Sequence, residues 1–419
     1  MNESTERIMR EWLREGPDHG PVETLDRIFE TSRRTPQRPG WAFIERWLPM
    51  QLALRPAVVP RTAAYLALLA LLLLAVLAAA YIGANQRRLP APIGPAANGL
   101  IAFDAGQRIL VADPDGTNVR TLVDDGAVNL APTFSIDGTR IAYWSQPERF
   151  QPYQLVVVNP DGSGRTVVAT DANVTSAFAR HSVAWSPNGD EIAYASALNG
   201  RAVLYVAAVD GSGVRQLLVG GSDATQPRWS PSGNYIAFRW EDDGTVGLAA
   251  IRPDGTDRLD LVSYAAPAED PAAGDRVYDG YQWAPNGGFL VYHYLDHGGD
   301  VARVDLNGRV TVIAADEDTS EFDPIISPDG ASIAFVEKDG LSFAIANADG
   351  TGRRTLGPNP FGCQRAAVWS PDGTMIVGFL EARACNGLGA IRLDDPETVI
   401  ELDAPASSVG FPSWQRLAP

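Results

Sequence analysis

The residues best suited to chemistry are few. The chain has four histidines, His19, His181, His293 and His297. Two of them lie in the run from Tyr292 to Asp300 (YHYLDHGGD), where imidazoles and carboxylates come together. Because this spacing matches no known ligand pattern, we predict a surface loop there rather than a metal site. The sequence has no Gly-x-Ser-x-Gly elbow, and we assign no catalytic residue, cofactor or metal ligand.

Cys363 and Cys385 are the only cysteines. Two thiolates cannot complete a zinc site, and the pair does not form a Cys-x-x-Cys motif, so redox catalysis has little support. We interpret them as a structural disulfide, with two separate free thiols as the alternative.

The charge is distributed unevenly along the chain. The net charge is -17, but residues 1 to 62 hold ten arginines and nine carboxylates, so the rest of the chain carries -18. A surface this acidic repels phosphate backbones, and we expect no nucleic-acid binding by the large domain.

Residues 63 to 84 form an uncharged, strongly apolar run. Its 22 residues (AAYLALLALLLLAVLAAAYIGA) match the ~20 that a helix needs to cross a bilayer. Tyr65 and Tyr81 stand near its ends, where aromatic rings prefer the membrane interface. A signal peptide is disfavoured because the run begins about sixty residues into the chain. We therefore predict one transmembrane helix.

Three short amphipathic stretches precede this run. Thr5 to Glu15 and Pro21 to about Arg34 have helical spacing of apolar residues, and Trp41 to Leu48 suits a helix lying in the membrane interface. Helices this short need a partner surface, so a cytoplasmic partner of residues 1 to 62 stays open beside a simple cytoplasmic stub.

An internal repeat dominates the remaining sequence, with anchors spaced by 43 to 54 residues. Each copy has an aromatic or apolar residue, then Ser-Pro-[Asp/Asn]-Gly, then Ile-Ala-[Tyr/Phe]. Pro and Gly pre-set a tight turn, so each copy predicts a β-hairpin. The copies begin at Phe134, Trp185, Trp229, Trp283, Ile326 and Trp369, with a seventh anchor at Trp414. The structural positions of the repeat are Trp185, Trp229, Trp283, Trp369, Trp414, Asp137, Gly138, Asn188, Gly189, Asp329, Gly330, Asp372 and Gly373.

A second signature, such as Asp113 to Arg120 (DPDGTNVR), follows in each copy and predicts a second hairpin. It degenerates at Leu393 to Glu397 (LDDPE). These turns lack the ligand pattern of a calcium loop, and the tryptophans suit packing between sheets better than ligand stacking. Two hairpins per copy make a four-stranded blade.

The paired signatures resemble the TolB-type β-propeller repeat, related in architecture to WD-repeat propellers. Six complete copies and one split copy predict an all-β, seven-bladed propeller, with six blades as the alternative. The last blade joins a strand at Phe411 to Trp414 with strands from residues 100 to 123, which removes the open edge.

The predicted domains are therefore a cytoplasmic helical segment (1–62), a transmembrane helix (63–84), a linker (85–97) and the propeller (98–419). In blade seven the first hairpin turns at Asp372 and Gly373. Two residues that face each other across this hairpin should therefore have numbers that add up to about 745. Cys363 and Cys385 sum to about 748, so they should lie nearly opposite each other and be bonded outside the cytosol.

These features favour a non-enzymatic binding or sensing protein. A membrane-anchored, extracytoplasmic propeller would bind a protein or envelope ligand at its channel mouth, on loops such as Ala265 to Tyr278. The outline also resembles membrane-bound anti-sigma factors, although residues 1 to 62 lack the His-x-x-x-Cys-x-x-Cys zinc motif. The alternatives are an anti-sigma-like transmembrane regulator and a propeller enzyme with a site on the channel axis. The usual location of TolB-type propellers implies an N-terminus inside the cell.

Overall fold

Antiparallel strands account for the regular structure of this computed structural model, which describes residues 94–172, 183–217, 222–265, 280–294, 300–315, 320–337, 342–361, 367–380, 387–402 and 412–417. The chain divides into two units between Gln86 and Arg87, and every described residue belongs to the second. The predicted N-terminal helices, the span at 63–84 and most of the linker lie outside these ranges. Within them, no helix is long and apolar enough to cross a membrane.

The described ranges hold 28 strands in seven four-stranded sheets, or blades. Blade one contains β1 (Ala97–Ala105), β2 (Arg108–Ala112), β3 (Arg120–Val123) and, from the far end of the chain, β28 (Ser413–Leu417). Blade two contains β4 (Val128–Phe134), β5 (Ile141–Gln146), β6 (Tyr153–Val158) and β7 (Thr166–Ala172). Blade three contains β8 (Val183–Trp185), β9 (Glu191–Leu198), β10 (Arg201–Ala208) and β11 (Val214–Gln216). Blade four contains β12 (Asp223–Trp229), β13 (Ile236–Asp242), β14 (Thr245–Ile251) and β15 (Leu259–Ala265). Blade five contains β16 (Gln282–Trp283), β17 (Phe289–Tyr294), β18 (Asp300–Asp305) and β19 (Val310–Ala314). Blade six contains β20 (Phe322–Ile326), β21 (Ser332–Glu337), β22 (Ser342–Asn347) and β23 (Arg354–Pro358). Blade seven contains β24 (Val368–Trp369), β25 (Met375–Phe379), β26 (Leu388–Arg392) and β27 (Asp395–Leu402).

The prediction of seven blades is confirmed, and the six-bladed alternative is wrong. Blade one is the split blade: β28 pairs with β1, with Trp414 opposite Ile101 and Ser413 opposite Ala102. The closing strand differs slightly from the prediction, since it begins at Ser413, includes Leu417 and pairs with β1 alone. Joining the two ends of the domain in one sheet leaves no open blade.

The hairpin register follows the repeat. In blade seven Val368 lies opposite Val377 and Trp369 opposite Ile376. The turn between them uses Gly373 at φ 76°, a backbone conformation that residues with a Cβ rarely adopt. The degenerate segment after β26 forms a tighter turn instead, in which Arg392 pairs directly with Asp395.

The propeller has two different faces. We call the turn face the one that carries the Ser-Pro-[Asp/Asn]-Gly turns and the turns between third and fourth strands. The opposite loop face carries the hairpins between second and third strands and the connections between blades. The chain enters at the turn face, where the Ala96 amide donates to the Pro371 carbonyl (2.8 Å) and the Asn98 amide to Asp372 (2.8 Å).

Candidate functional site

The repeat tryptophans lie between neighbouring blades. Trp185, Trp283, Trp369 and Trp414 are buried, and Trp229 is half-buried against the same kind of apolar cluster. Three indoles donate to a carbonyl of the preceding blade's innermost strand: Trp185 to Thr133 (3.1 Å), Trp283 to Arg228 (3.0 Å) and Trp369 to Ile325 (3.2 Å). Each of these tryptophans therefore joins two blades.

Blades two and six have no tryptophan at this position and use a different contact. The Phe134 amide donates to the Ser413 hydroxyl (2.9 Å), and the Ile326 amide donates to the Gln282 side-chain carbonyl (3.2 Å). In both junctions the donor is a backbone N–H and the acceptor is a side chain of the preceding blade. The junction keeps a hydrogen bond although the anchor residue has changed.

The turn residues bind one another on the turn face. Asp137 accepts from the Ser135 hydroxyl (2.5 Å) and from the Thr139 amide (3.0 Å), and Asn188, Asp329 and Asp372 accept from their serines in the same way. Partial burial raises the pKa of the Asp137 carboxyl, but these hydrogen bonds outweigh it and the pKa is lowered. Hydrogen bonds lower the pKa of Asp329. At Asp372 partial burial raises the pKa, but the hydrogen bonds outweigh it, so that the pKa is lowered there too. Gly138, Gly189, Gly330 and Gly373 supply the positive φ of each turn.

Cys363 and Cys385 lie outside the described residues, as do His19, His181, Asp296 and His297. His293 lies within β17 and is buried, rather than in a surface loop. Leu290, Val291 and Tyr292 are buried as well, so neighbouring blades cover both faces of this strand, and His293 is buried with them. Among the residues that the structure describes, no group of three or more histidines, cysteines or carboxylates could hold a metal ion.

Buried polar side chains are distributed unevenly between the turn face and the loop face. Fifteen polar or charged residues of the described ranges are buried, and five of them are the serines of the turns. The other ten lie from the middle of the strands towards the loop face, and they include every buried charged residue. They are Asp104, Asn129, Ser145, Ser196, Thr225, Arg239, His293, Glu321, Asp323 and Glu337. Buried charge is stable only when paired or hydrogen-bonded, so this half of the molecule holds preorganised polar groups.

Blade six contains the most connected of these groups. The Arg353 guanidinium donates to Glu321 (2.8 Å) and Glu337 (2.7 Å), and the Thr355 hydroxyl donates to Glu337 (2.5 Å). Glu321 and Glu337 are almost fully buried. Burial lowers the pKa of Arg353, but the hydrogen bonds to the two carboxylates outweigh it and raise the pKa. The guanidinium also lies over the Phe335 ring, 5.5 Å from its centroid.

Blades four and five contribute a second polar group. Arg239 is buried and donates to the more exposed Glu241 at 2.9 Å. The Tyr281 hydroxyl donates to the Gln226 carbonyl, at a β-bulge where Gln226 has φ 54°. Burial raises the pKa of Tyr281 and lowers that of Arg228 beside it. Tyr281 is therefore neutral near pH 7 and lies beside the buried Arg239 and the half-buried Arg228.

The sequence reasoning missed this set, although a signal was present. The position directly after Ile-Ala-[Tyr/Phe] is buried in each of six blades, yet its residue type changes from blade to blade. It holds Asp104, Trp144, Ala195, Arg239, His293 and Val336. Aligning the copies would therefore have marked Asp104, Arg239 and His293 as polar residues at a position that is apolar in other blades, but it gives no signal for the remaining seven buried polar residues.

Seven four-stranded blades, a split closing blade and paired turn signatures define a β-propeller built from one recurring hairpin repeat. The family model described as TolB beta propeller domain matches residues 102–371, more than half of the chain. The protein belongs to this TolB β-propeller family, as the resemblance of the repeat implied.

Known proteins share the fold but differ in extent. Dipeptidyl-peptidase 5 from Porphyromonas endodontalis is 30% identical over 113 residues, which are 26% of this chain and only 15% of that relative. A puromycin-hydrolyzing peptidase from Mycobacterium tuberculosis superposes with a TM-score of 0.54 at 12% identity, over 76% of this chain and 57% of that one. A functionally unknown protein from Desulfotomaculum acetoxidans gives 0.51 at 15% identity, over 77% and 100%. Identities this low show the fold alone.

Proposed function

We propose that this protein is a membrane-anchored, extracytoplasmic propeller that binds a protein partner or envelope ligand through its loop face. The observation that carries the proposal is the concentration of buried charge in the loop-face half. On the turn face, the polar groups of each hairpin turn bind one another and few are left to specify a ligand. The loop face presents varied side chains on a common scaffold, the usual arrangement of a binding surface.

The membrane anchor in this proposal is the uncharged run at 63–84, with residues 1–62 in the cytoplasm. The two cysteines and the family resemblance favour a propeller outside the cell. A membrane-impermeant maleimide tests this orientation. A cysteine introduced for Ser212, an exposed turn residue, should be labelled in intact cells, whereas one introduced for Ser32 should be labelled only after lysis. The reverse pattern would overturn the orientation.

Photo-crosslinking in native membranes tests the binding face. A photoreactive residue replaces Arg201 or Asp242, exposed at loop-face hairpins, or Ser212 or Thr351, exposed at turns of the opposite face. We expect a discrete protein adduct from the first pair and none from the second. Adducts from the turn-face positions alone, or equal adducts from all four, would contradict a loop-face site.

An enzymatic role is not part of the proposal. The chain spans 15% of the dipeptidyl-peptidase that it matches and 57% of the solved peptidase, so their printed activities do not transfer to it. The similarity to the solved peptidase concerns the scaffold, and a propeller scaffold does not imply a reaction.

A further inference from the structure

The loop between β5 and β6 presents an aromatic side chain to solvent. Phe150 is 86% exposed, whereas the other exposed large apolar residues of the described ranges are 39–48% exposed. Its backbone φ is 70°, a region that a bulky residue seldom occupies. The solvent exposure of the Phe150 ring and the positive φ of its backbone both cost free energy. The ring gains no packing within the blade in return.

The loop is nevertheless held in one conformation. The Gln146 side chain donates to the Gln151 carbonyl (2.7 Å), and the Gln151 amide donates to the Glu148 carbonyl (3.1 Å). Pro147 and Pro152 restrict the backbone at its two ends. The neighbouring hairpins on this face use two-residue turns, such as Asn199 and Gly200, so the longer loop of blade two is a local addition.

A cation accompanies the exposed ring. The Arg149 guanidinium carbon lies 4.8 Å from the centroid of Phe150. No carboxylate of the described residues forms an ion pair with Arg149. Tryptophan, tyrosine and arginine most often dominate the energy of protein interfaces, and phenylalanine is enriched there as well. A strained, exposed and preorganised Phe-Arg pair therefore has the properties of an interface anchor.

We propose that Phe150 and Arg149 anchor a folded protein partner whose surface offers an apolar pocket edged by carboxylates. The proposal deepens the loop-face function and rests on it. The side chains stand on a convex tip, so the pocket belongs to the partner. The partner's pocket should carry carboxylates at its edge because the Arg149 guanidinium would be buried there beside the Phe150 ring. A guanidinium that leaves water needs a hydrogen-bond acceptor of opposite charge. Phenylalanine and arginine are both enriched at protein–protein interfaces, which favours a protein over a lipid surface.

The test uses the full chain in cells and in detergent. A photoreactive residue at position 150 should give one protein adduct, which mass spectrometry identifies. That protein is then produced and its Kd measured against the wild type, Phe150→Ala and Arg149→Gln. We expect Phe150→Ala to raise Kd about tenfold or more and Arg149→Gln to raise it severalfold. Val214→Ala is the matched control, because Val214 is also an exposed apolar residue (47%) and its loss should leave Kd unchanged.

The outcomes separate this inference from the general proposal. Adducts from Arg201 but none from position 150 would overturn the anchor and leave the loop-face site standing. An adduct with lipid alone would replace the protein partner by a membrane contact. An unchanged Kd for Phe150→Ala would also overturn the anchor, and equal losses for Phe150→Ala and Val214→Ala would indicate a nonspecific apolar contact.

Discussion

The side-chain amide of Gln415 donates a 2.8 Å hydrogen bond to the carbonyl oxygen of Gly138, which lies 277 residues earlier in the chain. The other end of the same amide accepts from the Leu100 backbone (3.1 Å). One side chain of the last strand thus joins the first hairpin of blade two to the first strand of the propeller. The ring closes through this junction, so its stability depends on the turn at Gly138.

Gly138→Ala should weaken the closed ring. Gly138 has φ 68°, and an added Cβ would press against the carbonyl oxygen of Arg416. We expect a loss of about 2–4 kcal/mol in the free energy of unfolding, measured by chemical denaturation. Gly126→Ala is the control, because Gly126 also has positive φ (80°) but open space around it, and it should lose only about 1 kcal/mol. Equal losses would show that Gly138 has no special role in closure.

Arg353→Met should destabilise the loop-face half of blade six. It leaves Glu321 and Glu337 buried without their cation, which costs about 3 kcal/mol in the free energy of unfolding. Arg252→Met removes an exposed ion pair with Asp257 and should change stability little. Equal effects of the two substitutions, in the same denaturation experiment, would mean that the buried carboxylates are not paired as described.

Stability should fall in acid because of the turn aspartates. The pKa values of Asp137, Asp329 and Asp372 are lowered in the folded protein. Their contribution to stability is therefore present above the unfolded pKa of about 4 and is lost as the pH falls through the lower folded pKa.

Replacing these three aspartates by asparagine, the residue that Asn188 already supplies in blade three, should flatten the decline in unfolding free energy below about pH 4. Denaturant titrations at several pH values measure this slope. An unchanged slope would assign acid sensitivity to other groups.

Phe150→Asn should stabilise the protein. Asparagine tolerates positive φ better than phenylalanine does, and little packing is lost because the ring is exposed. We expect a gain of about 1 kcal/mol in the free energy of unfolding. A loss of stability instead would show that the ring supports the fold.

The repeat made the scaffold predictable from the sequence. The blade number and the facing of Val368 and Val377 follow from hairpins whose two strands are adjacent in the chain. The closing pair of Trp414 with Ile101 joins the two ends of the domain, and its existence follows from the copy of the repeat that is split between those ends. The geometry of a turn depends on a few consecutive residues, so a short stretch of sequence is enough to predict it.

The polar groups of the loop-face half were not predictable in this way. Glu321, Glu337 and Arg353 come from three separate segments of blade six, and Asp104 accepts a hydrogen bond from the Ala131 amide of the next blade (3.3 Å). Such contacts depend on how strands pack after the blades form. Residue type alone marks these positions as charged and gives no reason to expect burial.

The most direct test of loop-face binding is hydrogen exchange on the full-length protein with and without the partner identified by crosslinking. Binding through this face predicts slower amide exchange in the hairpins at 147–152, 199–200 and 243–244, with no change in the turns at 135–140 and 209–213. Slower exchange confined to the turn face, or in neither set of hairpins, would contradict it.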